Sequence, residues 1–277
     1  MSRVISQIIL GLPSLQSLFH PDVVDYAYRI RIKGATIQRN DLLAINRFTE
    51  SIYAAGLRSF ILECYPFAGD SIAAARTKLW HAGNEAFTNN GFTSGNYGRT
   101  TGITGNGTAS LNSNFVANSS TLTNSSGSIG VYNRSNLFEA GMAVGCSDAS
   151  ANNFNLALGW NDNLNYFDCY NLVSLTGGRL MTPVSSDCRG FHVGSRVSLT
   201  DSRYFQNGNQ IASITTSGGG LPTTSQHWFA YNNNGSLSSF STKSIGFGFV
   251  GRGLTPAQVT ALTSIVNTLM TGLGRAV

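Results

Sequence analysis

Charged side chains are scarce: Asp, Glu, Lys and Arg make up 11% of the 277 residues, against roughly a quarter in ordinary globular domains. A helical bundle needs Glu, Lys and Arg on its wet faces, so this composition excludes one. Runs of basic residues with interleaved aromatics are missing although the net charge is +5, so nucleic-acid binding is not indicated. No apolar window approaches the length of a membrane span. Residues 1–19, MSRVISQIILGLPSLQSLF, have neither the uninterrupted apolar stretch nor the small-residue cleavage site of a secretory signal. The expectation is a soluble, unprocessed chain that assembles in the cytoplasm.

The usual signatures of chemistry are absent as well. Cys64, Cys146, Cys169 and Cys188 show no Cys-x-x-Cys or paired spacing, which excludes a disulfide framework and a zinc ribbon. Cys169, set among apolar and aromatic residues, reads as a buried free thiol, in keeping with a reducing compartment. A retaining glycosidase needs two carboxylates about 5 Å apart. Glu139, Asp148, Asp162, Asp168, Asp187 and Asp201 contain no pair at i, i+2 or i, i+4. His20, His81, His192 and His227 are dispersed without metal-ligand spacing, and His192 reads as a strand residue with one satisfied nitrogen. There is no Gly-x-Ser-x-Gly elbow and no phosphate-binding loop. Asn161-Asp162-Asn163, with Asn165 and Asp168, looks like half a calcium loop, but it lacks the Gly and terminal Glu, and a tight polar turn is the simpler reading. We expect no catalytic residues, no metal and no cofactor.

What is present is a core and many turns. Hydrophobic residues make up 42% and aromatics 10% of the chain, and Gly numbers 31, which excludes disorder and favours short strands joined by neutral polar loops. More than half of the charges fall before residue 86. We therefore divide the chain into an N-terminal anchoring or oligomerisation segment, 1–70, and a β-sandwich, 71–277. Ile5, Ile8, Ile9, Leu12, Leu15 and Phe19 recur at helical spacing, broken by Pro13, which reads as one short helix or two turns. Val24, Tyr26, Tyr28, Ile30 and Ile32 alternate with polar residues, which predicts a strand whose other face carries Arg29, Arg31 and Lys33. That basic face could meet an acidic partner, although a solvated face is the commoner outcome. Asn40 or Asp41 should cap a helix with a stripe of Leu42, Ile45, Phe48 and Ile52, ended by Gly56. A strand follows over 60–65.

From 86 to 250, eleven segments read as strands: 86–93, 108–116, 127–133, 138–145, 153–160, 164–172, 188–197, 201–206, 210–216, 227–231 and 244–250. Asn207-Gly208 is the sharpest hairpin signal among them. Such spacing means a sandwich or barrel. Thr255-Pro256-Ala257-Gln258 is a capping box opening a terminal helix over 255–273. That helix should pack on the sandwich edge or on the N-terminal segment. Trp160, Tyr166, Tyr170, Trp228 and Tyr231 lie beside Asn-rich turns. Aromatic faces stack on sugar rings while amides pair with their hydroxyls, so these five are candidate glycan contacts, at least half of which should be core.

Several stretches carry a family resemblance. Early in the chain these are Ala54-Ala55-Gly56-Leu57, Tyr65-Pro66-Phe67-Ala68-Gly69 and Arg76-Thr77-Lys78-Leu79-Trp80. Gly107-Thr108-Ala109-Ser110-Leu111 and Ser128-Ile129-Gly130-Val131-Tyr132 follow. Asp187-Cys188-Arg189-Gly190-Phe191, Tyr204-Phe205-Gln206-Asn207-Gly208, Gly251-Arg252-Gly253-Leu254-Thr255 and Leu273-Gly274-Arg275 complete the set. In order and spacing over about 41–277 they resemble phage virion proteins, tail- or capsid-associated, with a concanavalin A-like (jelly-roll) domain. The resemblance implies a two-sheet antiparallel sandwich, a fold that hosts lectins, glycanases and structural domains alike. It also implies a subunit on the virion surface: a tail or head fibre, receptor-binding or decoration protein. Partners would be other virion proteins and further copies of the chain, in a homo-oligomer such as a trimer. The acidic strand of the glycanases and the calcium loops of the lectins are not recognisable. The expectation is therefore a display protein and no enzyme, with a lectin-like module binding host surface glycans as the alternative and a glycan-cleaving enzyme behind it.

Overall fold

The computed structural model of the chain describes residues 18–117, 122–172, 179–184 and 186–277. Of the helical spacing read from Ile5 to Phe19, only Phe19 lies within the described residues, buried in the core beneath the helices. In chain order the helices are α1 (Pro21–Arg31), α2 (Arg39–Ala54), the single turn α3 (Ile72–Ala75) and α4 (Pro256–Gly272). The strands are β1 (Ile61–Tyr65), β2 (Thr88–Asn90), β3 (Tyr97–Gly98), β4 (Gly102–Thr104), β5 (Ser110–Val116), β6 (Gly127–Asn133), β7 (Met142–Ser147), β8 (Asn152–Ala157) and β9 (Leu164–Leu172). They continue with β10 (Leu180–Pro183), β11 (Gly190–Ser198), β12 (Asp201–Gln206), β13 (Asn209–Ile214), β14 (Ser225–Trp228), β15 (Tyr231–Asn233), β16 (Ser236–Ser238) and β17 (Ser244–Gly251).

Two sheets form the sandwich expected of a concanavalin A-like domain. One runs β13-β12-β11-β6-β17-β4-β3, with β1 also paired to β17. The other runs β10-β9-β8-β7-β14-β5-β2, with β15 lying parallel to β7 and β16 returning beside it. β6 is buried along its whole length because both of its faces are covered. Ile129 and Val131 join the core between the sheets, whereas Tyr132 joins a second core under the helices. That second core seats Val259, Leu262, Val266, Leu269 and Met270 of α4 and the stripes of α1 and α2 on Phe191, Val193, Phe205, Phe247 and Phe249. The helices thus make a third layer on the outer face of the first sheet, and among the described residues no helix covers the outer face of the second. Residue 70 is no break in the packing: β1 is a strand of the first sheet, and the buried Glu63 and Lys78 are ion-paired across it.

The N-terminal strand expected from the alternation after Val24 is instead the helix α1. Its buried positions, Val23, Tyr26, Ala27 and Ile30, repeat at helical spacing, and Tyr26 and Ile30 satisfy both periods. What decides is the start signal: His20 accepts the Asp22 amide and Pro21 opens the first turn. At α2 the expected cap is also displaced. Gln38 occupies the N-cap without a side-chain bond. Asp41 inside the first turn is buried and takes Arg99 in a bidentate pair, Nε at 2.9 Å and Nη2 at 2.7 Å. The α4 capping box forms as read, Thr255 and Gln258 each accepting the other's backbone amide. All four cysteines are buried and free of disulfides.

Candidate functional site

A pocket of about 220 Å³ opens on the second sheet, on the face that no helix covers among the described residues, and the β8–β9 hairpin builds most of it. The hairpin closes through Trp160 N to Leu164 O at 2.8 Å and Asn163 N to Trp160 O at 2.9 Å, with Asn163 at φ 63°. Asp162 stiffens the turn by accepting the Leu164 amide and the Tyr166 hydroxyl. The half calcium loop is therefore a polar turn, and no metal-ligating cluster occurs among the described residues. Beyond the turn, alternation on β9 places Tyr166 and Asp168 on the same face. Asn155 of β8 pairs with Asp168 and Ala157 with Tyr166. Arg179 precedes Leu180, which pairs with Phe167, so Arg179 comes to lie across from Asp168.

The side chains lock together. Arg179 grips Asp168 through Nε at 2.9 Å and Nη2 at 2.7 Å, while Asn155 Nδ2 reaches the same carboxylate at 3.4 Å. The Asp168 side chain is 1% exposed and that of Arg179 23%. The guanidinium also lies 4.9 Å above the Tyr166 ring, a cation–π contact, and the Trp160 ring meets Tyr166 edge-on at 6.1 Å. Tyr231 of β15 supplies the opposite wall, its hydroxyl donating to Asn153 at 2.7 Å. Its ring rests over Gly145, where a Cβ would lie 3.2 Å from Cδ2. Burial, reinforced by the Asp162 carboxylate, pushes the Tyr166 phenol up to about 12. Burial alone would lower the Arg179 pKa, but hydrogen bonding and the charge of Asp168 raise it above its ordinary value. The pocket thus holds an Arg–Asp ion pair flanked by three half-buried aromatic rings and a buried amide. Arg179 Nη1 has no hydrogen bond among the described residues.

Three of the five aromatics expected to meet a sugar, Trp160, Tyr166 and Tyr231, converge on this pocket. The other two are core. Trp228 is fully buried, its ring 4.9 Å from Tyr65 and 5.8 Å from Phe67. Tyr170 would face outward by alternation with Tyr166 and Asp168, but a β-bulge intervenes. Asn153 pairs with Asn171 and Phe154 with Cys169, leaving Tyr170 unpaired at φ 63° and turned inward onto Phe154. The basic face of Arg29, Arg31 and Lys33 does not exist as expected, because residues two apart on a helix point in different directions. Arg29 is buried, donating to Asp25 at 2.8 Å and to the carbonyls of Lys78 and Leu79 at 2.7 and 3.1 Å. Lys33 reaches Thr77 Oγ1 at 3.2 Å, and Arg31 is the exposed last residue of α1. Sequence reasoning passed over Asn155, Asp168 and Arg179 as binding groups. The i, i+2 spacing of Tyr166 and Asp168 was a usable signal; nothing local marks Arg179.

No protein-family model matches the chain, and no curated protein matches it in sequence. Among solved structures, the binding domain of Botulinum neurotoxin serotype D is similar over 76% of this chain and 52% of that one, with 8% identity and a TM-score of 0.51. The CBM40 of Ruminococcus gnavus IT-sialidase is similar over 50% of this chain and 83% of that one, with 15% identity and a TM-score of 0.39. The same module bound to alpha2,3 sialyllactose gives 14% identity and 0.39 over 50% of this chain and 80% of that one. The toxin-domain likeness shows the β-sandwich fold and nothing finer; the CBM40 likeness is too distant to carry weight.

Proposed function

We propose that this chain is a glycan-binding module whose pocket on the second sheet takes a neutral sugar ring. The observation that carries the reading is the convergence of Trp160, Tyr166 and Tyr231 on the Arg179–Asp168 pair. A pyranose presents an apolar C–H face to the rings and hydroxyls to the rim. Arg179 Nη1 donates to a sugar oxygen, while the buried Asn155 amide, engaged with Asn153, Asp168 and the Cys146 amide, holds the carboxylate in place. Because Asp168 cancels the charge of Arg179, the pocket has little field with which to select an anionic sugar. Asp168 lines the pocket but is fully engaged by Arg179, which supports binding without cleavage. Host polysaccharide incubated with the protein should release no reducing ends.

A glycan array followed by calorimetry tests the reading. Neutral glycans should bind, and Trp160→Ala or Arg179→Ala should each weaken binding at least about tenfold, which is ~1.4 kcal/mol. No hit on the array, or full affinity in both variants, overturns it.

A displayed virion subunit is the compatible second proposal, favoured by the sequence resemblance over 41–277 and by the sparse charge of the chain after residue 85. Purified particles should carry the labelled chain; its absence from them removes that proposal.

A further inference from the structure

Tyr231 is the wall of two cavities. The second, which Trp160 does not line, is wider at about 680 Å³, and Ser147, Asp148, Ala149, Asn233, Asn234 and Ser236 are among its walls. We infer that the ligand is an oligosaccharide of at least two units, which seats one ring between Trp160 and Tyr231 and passes the next over Tyr231 into the Asn233–Ser236 cavity. This rests on the glycan-binding reading and extends it.

The first pocket is too small to hold more. Pockets for drug-sized ligands run to about 300–1,000 Å³, so 220 Å³ suits a single ring. A ligand confined there makes few contacts and binds weakly, because affinity is limited by the number of atoms engaged. The second cavity has the chemistry of a further sugar subsite. Its lining is mostly hydroxyl and amide. Asn233 and Ser236 are exposed, and neither side chain is hydrogen-bonded among the described residues. Its one carboxylate, Asp148, is already occupied by the amides of Ser150 and Asn152 and by the Asn152 side chain. It therefore shapes the loop and leaves the recognition of hydroxyls to its neighbours. The backbone holds the cavity open through the β15–β16 turn, where Asn234 and Gly235 both take positive φ and Asn232 Oδ1 accepts the Gly235 amide at 2.8 Å. Tyr231 itself is tied to Asn153, so the partition between the cavities is fixed before any ligand arrives.

Calorimetry with glucose, galactose, mannose and N-acetylglucosamine, each with its homo-di- and trisaccharide, tests this on the intact protein. For the sugar that binds, the disaccharide should bind at least tenfold tighter than the monosaccharide. Asn233→Ala/Ser236→Ala should erase that gain while leaving the monosaccharide affinity unchanged. Equal affinity for mono- and disaccharide, or a double variant that holds the disaccharide as the wild type does, overturns the two-unit site but leaves sugar binding standing. Binding of none of the probes overturns the glycan reading itself, and the two-unit site with it.

Discussion

Arg179 and Asp168 show how little of a site a single residue reveals. Asp168 is an unremarkable acid in the sequence, and only the strand register that sets it across from Arg179 makes it the base of a pocket. Trp228 and Tyr170 make the converse point: residue type marked both as sugar contacts, but packing took one into the core and a bulge turned the other inward. His192 is a third case, read from its neighbours as a strand residue with one satisfied nitrogen and found with both engaged. Nδ1 lies 2.6 Å from the Tyr204 hydroxyl and Nε2 2.9 Å from the Cys188 carbonyl. Burial pushes its pKa down to about 4, against ~6.5 in the unfolded chain. Between those values the unfolded state binds more protons, so this histidine makes stability fall as pH drops from about 6.5 towards 4 and leaves it level above 6.5. Urea unfolding should show the wild type losing about 2 kcal/mol from this group between pH 7 and pH 5, and His192→Gln losing correspondingly less over the same interval. His227, also held near 4 by burial, acts in both proteins, so the difference between the slopes isolates His192. Identical slopes contradict the assignment.

At the scale of elements, legibility followed the strength of the end signals. α4 was readable because a capping box, a Pro at the first position and an apolar stripe coincide. The Asn207-Gly208 hairpin was readable because only its backbone chemistry fits, with φ at 52° and 82°. α1 was misread because Tyr26 and Ile30 fit both periods, and its start signal at His20-Pro21 was passed over. β3, β10 and β16 are too short to register as patterns at all. The join between β1 and the following segment depends on a buried ion pair that no local pattern shows. Lys78 Nζ donates to Glu63 Oε2 and to the Ser113 carbonyl, and Glu63 also accepts from the Tyr65 hydroxyl and the Ala82 amide. Lys78→Met would strand the Glu63 carboxylate in the core, a loss of about 3–5 kcal/mol. Chemical denaturation of that variant, with Lys78→Met/Glu63→Gln beside it, should show the double variant recovering part of the loss. A single variant as stable as the wild type contradicts the pairing.

Over the whole molecule, the scarcity of charge has a structural meaning. The first sheet presents its outer face to the helices, whereas β7 and β8 of the second are buried by neutral and apolar neighbours along nearly their whole length. Strand spacing alone led to a sandwich or barrel, and the two sheets settle it as a sandwich. The placement of the site followed from neither composition nor spacing. It needed the β8–β9 hairpin, Arg179 just ahead of β10, and β15 from much further along the chain to meet on one face. A sugar stacked there on Trp160 would shield its indole from solvent. Of the three tryptophans, Trp80 and Trp228 are 3% and 0% exposed, while Trp160 is half-exposed at the pocket mouth, so acrylamide quenching of fluorescence reports chiefly on Trp160. Titrating the array-selected neutral oligosaccharide should protect the emission saturably in the wild type and leave Trp160→Phe unchanged. Quenching that stays the same through saturating sugar, or equal protection in Trp160→Phe, would contradict the account.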